Sequence, residues 1–193
     1  VPLSAGGDKP LIRAVEGAED DIKKAQDLIK SHKVGKRDVL IAVAASGTTP
    51  FTIACLRNAK RAGALTVGIA NNPKTPILDD ADHPILLETG PEPIAGSTRM
   101  NAGTAQRITL GLLSSLVMIR MGRVYDGMMV DVQATNKKLA RRSATMLMHM
   151  TGRNEKDVRS ALAQADGNIK LAVLLLKGSR LDEAKSLLKR SKG

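Results

Sequence analysis

The sequence has 193 residues, 42% of them apolar, with 30 Lys and Arg against 19 Asp and Glu, a composition that can build a core and excludes a disordered chain. One Tyr, one Phe and no Trp leave few rings for the base stacking that nucleic-acid modules use. Apolar runs such as 171–176 fall far short of the ~20 residues that cross a bilayer.

The first residues, Val1-Pro2-Leu3-Ser4-Ala5-Gly6-Gly7, read as the last step of a strand entering a glycine turn, with no strand before it and no initiator Met. The domain is therefore expected to lack an N-terminal part. Over 9–33 the apolar positions Leu11, Ile12, Val15, Ala18, Ile22, Ala25, Leu28 and Ile29 recur at three and four, the period of a helix, with a break near Gly17. Residues 38–45, Asp38 followed by seven apolar residues, predict a strand buried on both faces, as in parallel sheets. Pro50 suits the first turn of a helix over 51–62, which Gly63 stops, and a strand is predicted over 65–70. A turn at 71–74, a strand over 83–88, a loop over 90–98 and a long helix over 101–121 follow. That helix carries Ile108, Leu112, Leu116 and Ile119 on one face. The alternation predicts an α/β fold, a doubly wound parallel sheet with its ligand edge at the carboxyl ends of the strands.

Beyond 132 the composition shifts. Helices are predicted over 134–151, 154–165, 168–176 and 181–189, punctuated by Gly167 and Gly178. Residues 137–193 carry 14 basic and 5 acidic side chains, against 16 and 14 in 1–136. Such a basic segment either forms solvated helix faces or meets an anionic partner. Solvated faces are the expectation here, with neither a nucleic-acid nor a membrane partner.

Three constellations can carry chemistry. Ser46-Gly47-Thr48-Thr49 sits between a buried strand and a helix opened by Pro50, where hydroxyls, backbone N–H groups and the positive helix end can converge on an anion. The same residues would also serve as an ordinary helix cap. Ser97-Thr98-Arg99 precedes the long helix on the same sheet edge and offers hydroxyls and a guanidinium fork to a phosphate or sugar, or else a cap beside a solvated Arg. Glu16 and Glu19, three apart, either share a helix face where repulsion raises one pKa towards that of a general base, or simply face water. His32, His83 and His149 lack ligand spacing, so no metal is expected. Cys55, the lone cysteine, forms no internal disulfide, fits a reducing compartment and is expected to be a small buried residue. The eight Met residues are expected to fill core or interface.

Taken together, Ala14-Val-Glu-Gly-Ala-Glu-Asp20, Ala44-Ala-Ser-Gly-Thr-Thr-Pro50, Gly96-Ser-Thr-Arg-Met-Asn-Ala-Gly-Thr-Ala-Gln106 and Met129-Val-Asp-Val-Gln-Ala-Thr-Asn-Lys-Lys-Leu139 resemble the bacterial N-acetylmuramic acid 6-phosphate etherases, proteins of the sugar isomerase (SIS) type. The resemblance runs along essentially the whole chain. It implies an SIS domain over 1–132, a connecting helix over 133–152 and a small ubiquitin-associated-like domain of three helices over 153–193. It also implies a cytoplasmic homodimer in cell-wall recycling and a carbon–oxygen lyase that splits a D-lactyl ether by elimination and hydration, with no metal or organic cofactor. Glu19 matches a catalytic glutamate and is the implied base, with Glu16 tuning it. Ser46, Gly47, Thr48 and Thr49, with Ser97, Thr98 and Arg99, are the implied ligands of the sugar phosphate. Thr48 stands where the family pattern has Arg, and Asn101 where it has Lys. The family's other catalytic glutamate and its first phosphate loop fall upstream of Val1, so these residues alone are expected to be inactive or weak. The rival reading is a non-catalytic SIS regulator that senses a sugar phosphate.

Overall fold

The short apolar stretches of the first half of the chain form β1 (Val39–Val43), β2 (Leu65–Ala70) and β3 (His83–Leu86), which lie side by side in that order and all run parallel. Ile41 lies beside Val67, and Ile69 beside Ile85. The structure, a computed structural model, describes residues 1–7, 15–132 and 136–191. It divides into two units, Val1–Gly111 and Leu112–Gly193.

In the first unit the sheet is flanked by α1 (Ile22–Ser31), α2 (Pro50–Arg61) and α3 (Pro76–Asp80), and α4 (Asn101–Arg120) begins there. Asp21 caps α1 by accepting from the Lys24 amide at 2.8 Å. Lys60 and Arg61 occupy the last turn of α2, where cations favour the helix dipole. Ala25 and Ile29 of α1 pack with Phe51, Ala54, Cys55 and Ala59 of α2, while Leu56 and Ile77 close on Ala42 of β1. Burial of each large side chain such as Leu56 or Ile77 stabilises by about 1.5–3 kcal/mol. Gly68 in β2 permits this packing, because a Cβ there would press on the Ile77 carbonyl and stand 2.9 Å from the Ala81 methyl.

Three features differ from the sequence reading. The strand over 38–45 is not buried on both faces. Among the described residues β1 pairs on one side only, with β2; Val39 is 58% and Ile41 39% exposed, while Leu40 and Ala42, on the alternate face, meet the cores. The buried strand is β2, which has a neighbour on each side. The helix predicted from 9 begins only at Ile22 within the described residues. Gly17 takes a positive φ of 69°, Ala18–Asp20 is one turn of 3-10 helix, and 8–14 lie outside the description. Finally, α4 is 20 residues long and, by length and a mean hydropathy of 1.2, apolar enough to cross a membrane, although no single apolar run suggests it. Its apolar residues are interrupted by Arg107, Ser114 and Ser115, and among the described residues Ile108, Leu112, Leu116 and Ile119 stay exposed.

The second unit holds a hairpin of β4 (Val124–Tyr125) and β5 (Met128–Met129), then α5 (Lys137–Thr151), α6 (Glu155–Gln164), α7 (Ile169–Leu176) and α8 (Leu181–Arg190). Residues 133–135, including the Gln133-Ala134-Thr135 portion of the fourth motif, lie outside the description. An Asn caps each of three helices: Asn136, Asn154 and Asn168 accept from the amides of Leu139, Asp157 and Leu171 at 2.9, 2.9 and 3.0 Å. Leu147, Val158, Ile169, Ala172 and Ala184 share one core with Val130, just after the hairpin.

Candidate sugar-phosphate site

The carboxyl ends of β1, β2 and β3 open into loops 44–49, 71–75 and 87–100, on the edge where parallel sheets bind ligands. In the first loop Gly47 has a φ of 70° and its amide donates to the Ala44 carbonyl at 3.0 Å, turning the chain sharply. A Cβ at Gly47 would collide with the buried Thr75 side chain. The Ser46 hydroxyl accepts from the Thr48 amide at 3.2 Å and lies 3.5 Å from the Thr49 hydroxyl. Thr49 is the N-cap of α2, yet its side chain makes no capping bond. Among the described residues the amides of Thr49, Phe51 and Thr52 have no hydrogen-bond partner. Two hydroxyls and a group of free N–H donors thus gather at one helix start, an arrangement suited to an anion.

The second loop holds the first. The Asn71 amide donates to the Ala45 carbonyl at 3.0 Å, and Asn72 Nδ2 to the same carbonyl at 3.3 Å. The Ile77 amide donates to the Gly47 carbonyl at 3.3 Å. Asn71 also reaches the third loop and α4. Its Nδ2 donates to the Leu87 carbonyl at 3.1 Å and the Thr89 hydroxyl at 3.3 Å, and its Oδ1 accepts from Gln106 Nε2 at 2.8 Å.

In the third loop, the start of α4 is closed by a carboxylate rather than by the hydroxyls before it. Glu92 accepts from the amides of Ala102, Asn101 and Met100 at 2.9, 3.1 and 3.3 Å. These bonds, that from Ala102 foremost, hold its carboxyl below the ordinary carboxylate range. Asn101 Nδ2 is spent on the Pro91 carbonyl at 2.8 Å. Ser97 Oγ accepts from the Arg99 amide at 3.4 Å, and Thr98 and Arg99 are exposed beside a shallow depression lined by Thr89, Asn101 and Thr104.

The structure therefore brings Ser46, Gly47, Thr48 and Thr49 together. Glu16 lies in a turn and Glu19 in the 3-10 turn, so the two do not share the regular helix face that their spacing predicts; Gly17 breaks it. Both are exposed. No hydrogen bond or ion pair among the described residues joins Glu16, Glu19, Ser97, Thr98 or Arg99 to the first loop. Among the described residues no cluster of three His, Cys, Asp or Glu is placed to hold a metal.

The family model described as SIS domain matches residues 21–116, which include all three loops. A protein of Deinococcus radiodurans named N-acetylmuramic acid 6-phosphate etherase is 50% identical over 92% of this chain and 58% of its own length. Proteins of the same name from Pseudothermotoga lettingae and Geobacillus thermodenitrificans are 43% and 44% identical over 97% and 99% of this chain, and 63% and 65% of their own lengths. The chain belongs to the N-acetylmuramic acid 6-phosphate etherase family. It spans roughly three fifths of the length of these curated relatives.

Within this etherase-family chain, three polar residues escaped the sequence reading: Asn71, Glu92 and Gln106. Glu92 carries a weak signal, a carboxylate between two prolines ahead of a helix. Asn71 and Gln106 meet across 35 positions, a pairing that no local pattern marks.

Proposed function

We propose that the chain carries the sugar-phosphate site and the base of an N-acetylmuramic acid 6-phosphate etherase, which yields N-acetylglucosamine 6-phosphate and D-lactate. The observation that carries the reading is the 50% identity, over 92% of the chain, to a relative of that name. The free donors and hydroxyls of the 46–49 loop support it, since a phosphate is the anion they fit. The Ser46 and Thr49 hydroxyls hydrogen-bond the phosphate together with the free amides of Thr49, Phe51 and Thr52, on the turn that Gly47 and Thr48 shape, and Ser97, Thr98 and Arg99 take sugar hydroxyls or a further phosphate oxygen.

Glu19 removes the proton at C2, next to the carbonyl carbon of the opened sugar, and the C3–O bond breaks so that D-lactate leaves with a proton on its hydroxyl. Water then adds across the C2–C3 double bond, its hydroxyl to C3 and a proton to C2. Each step couples proton transfer to the breaking or forming of the C3–O bond, so carboxyl groups suffice and neither metal nor organic cofactor is required. The reading carries with it a cytoplasmic homodimer, for which the exposed stripe of α4 is a suitable face, and a ubiquitin-associated-like domain over 153–193, supported by the shared core of α6, α7 and α8.

The test is D-lactate release from N-acetylmuramic acid 6-phosphate, measured on a chimera that joins this chain to the remaining length of the Deinococcus radiodurans relative. Lactate is expected, and Glu19→Gln is expected to slow its release by about 10²–10⁴-fold. No lactate from the chimera contradicts the function; undiminished release from Glu19→Gln contradicts the base.

A further inference from the structure

We propose that Asn71 and Gln106 form a positioning latch that fixes the 46–49 loop relative to the start of α4, an inference that rests on the sugar-phosphate reading of that loop. Asn71 is the point at which the three strand ends meet. Its backbone amide binds the Ala45 carbonyl, immediately before Ser46, while its side chain spans the third loop and α4. The polarity of the side chain is forced. A carbonyl only accepts, so the Asn71 nitrogen must face Leu87, its oxygen must face α4, and Gln106 must be the donor.

Gln106 lies in the second turn of α4, and Arg99 lies just ahead of that helix. The bond from Gln106 to Asn71 therefore ties the helix that follows Arg99 to the residue that holds Ala45. Asn72 Nδ2 on Ala45 and the Ile77 amide on Gly47 extend the grip to both sides of Ser46. Asn71 and Gln106 are positioning residues: they touch no reacting atom and set the separation of two groups of ligands. Loss of one net hydrogen bond in such a frame weakens ligand binding about three- to tenfold.

Gln106→Met tests this, since it keeps length and neutrality and removes the donor. Thr89→Val, which removes one acceptor of Asn71 Nδ2, is the second variant should the first fail to fold. Two readouts are taken on each folded variant: the amide resonance of Gly47 in the free protein, and the affinity for N-acetylglucosamine 6-phosphate relative to N-acetylglucosamine. The latch predicts a displaced Gly47 resonance and a three- to tenfold drop in the preference for the phosphorylated sugar. General destabilisation would weaken both sugars alike. A Gly47 resonance that stays in place in folded Gln106→Met overturns the latch whatever the ligand does, and a displaced resonance with unchanged preference overturns its role in binding. Wild-type protein that does not distinguish the two sugars overturns the sugar-phosphate reading itself, and the role of the latch in binding falls with it.

Discussion

Gly47 is the residue on which the first loop turns, and two independent constraints exclude a side chain there. Its φ of 70° disfavours any residue with a Cβ by about 1–2 kcal/mol, and the Thr75 side chain occupies the space that a Cβ would need. Gly47→Ala is expected to destabilise the protein by about 1–3 kcal/mol in urea unfolding and to impair sugar-phosphate binding; an unchanged midpoint would refute the geometry. Cys55 makes a different claim. Burial pushes its thiol up to about 11, so at neutral pH almost no thiolate forms. A disulfide reagent at pH 8 is expected to modify Cys55 only as fast as the protein unfolds, and immediate labelling would show that the α1–α2 core is open. At this scale the turn at Gly47 and the helix start at Pro50 were legible because a strand, a glycine and a proline stand in sequence. Asn71 and Gln106 were not, because their meaning lies in a contact between distant segments.

Among the elements, the sheet owes part of its cohesion to Asp82, just ahead of β3. Its carboxylate accepts from the Thr66 amide and hydroxyl in β2 at 2.9 and 2.7 Å and pairs with Lys60 of α2 at 2.9 Å. The Lys60 ammonium first, then the Thr66 donors, bring its pKa down to about 2. Because the folded value lies below the unfolded value of about 3.9, the ionised form favours folding. This stabilisation is full above about pH 4 and is lost as pH falls towards 2. Thermal unfolding from pH 6 to pH 2 is expected to show a steeper decline between 4 and 2 for the wild type than for Asp82→Asn; identical slopes would remove Asp82 from that role. The strand over 65–70 and the helices over 50–61, 101–120 and 181–190 were legible within a residue or two, since periodicity, Pro50 and Gly63 mark them. The β4–β5 hairpin went unread, although Asp126-Gly127, both with positive φ, is the turn pair that such hairpins require. Two-residue strands leave too short an alternation for periodicity to register. The apolar run over 39–43 marks the strand, but which of its faces is covered depends on packing partners that the run itself does not encode: among the described residues Leu40 and Ala42 meet the cores while Val39 and Ile41 stay exposed.

For the whole molecule, the basic charge and the chemistry belong to different regions. Most of the excess positive charge lies in 137–193, on helices whose apolar sides share one core, while the loops of the proposed sugar-phosphate site all lie within Val1–Gly111. The class of fold was legible because buried strands and amphipathic helices alternate, whereas the geometry of the site depended on loops that only the packed sheet brings side by side. The account stands on one claim, that the 46–49 loop holds the phosphate of a sugar. It is tested most directly by calorimetric titration of N-acetylglucosamine 6-phosphate and of N-acetylglucosamine into the protein and into a Ser46→Ala, Thr49→Ala double variant. The prediction is that the wild type prefers the phosphorylated sugar and that the double variant loses about 10- to 100-fold of that preference, as expected for hydroxyls bonded to a charged group. Equal preference in wild type and variant would contradict the claim.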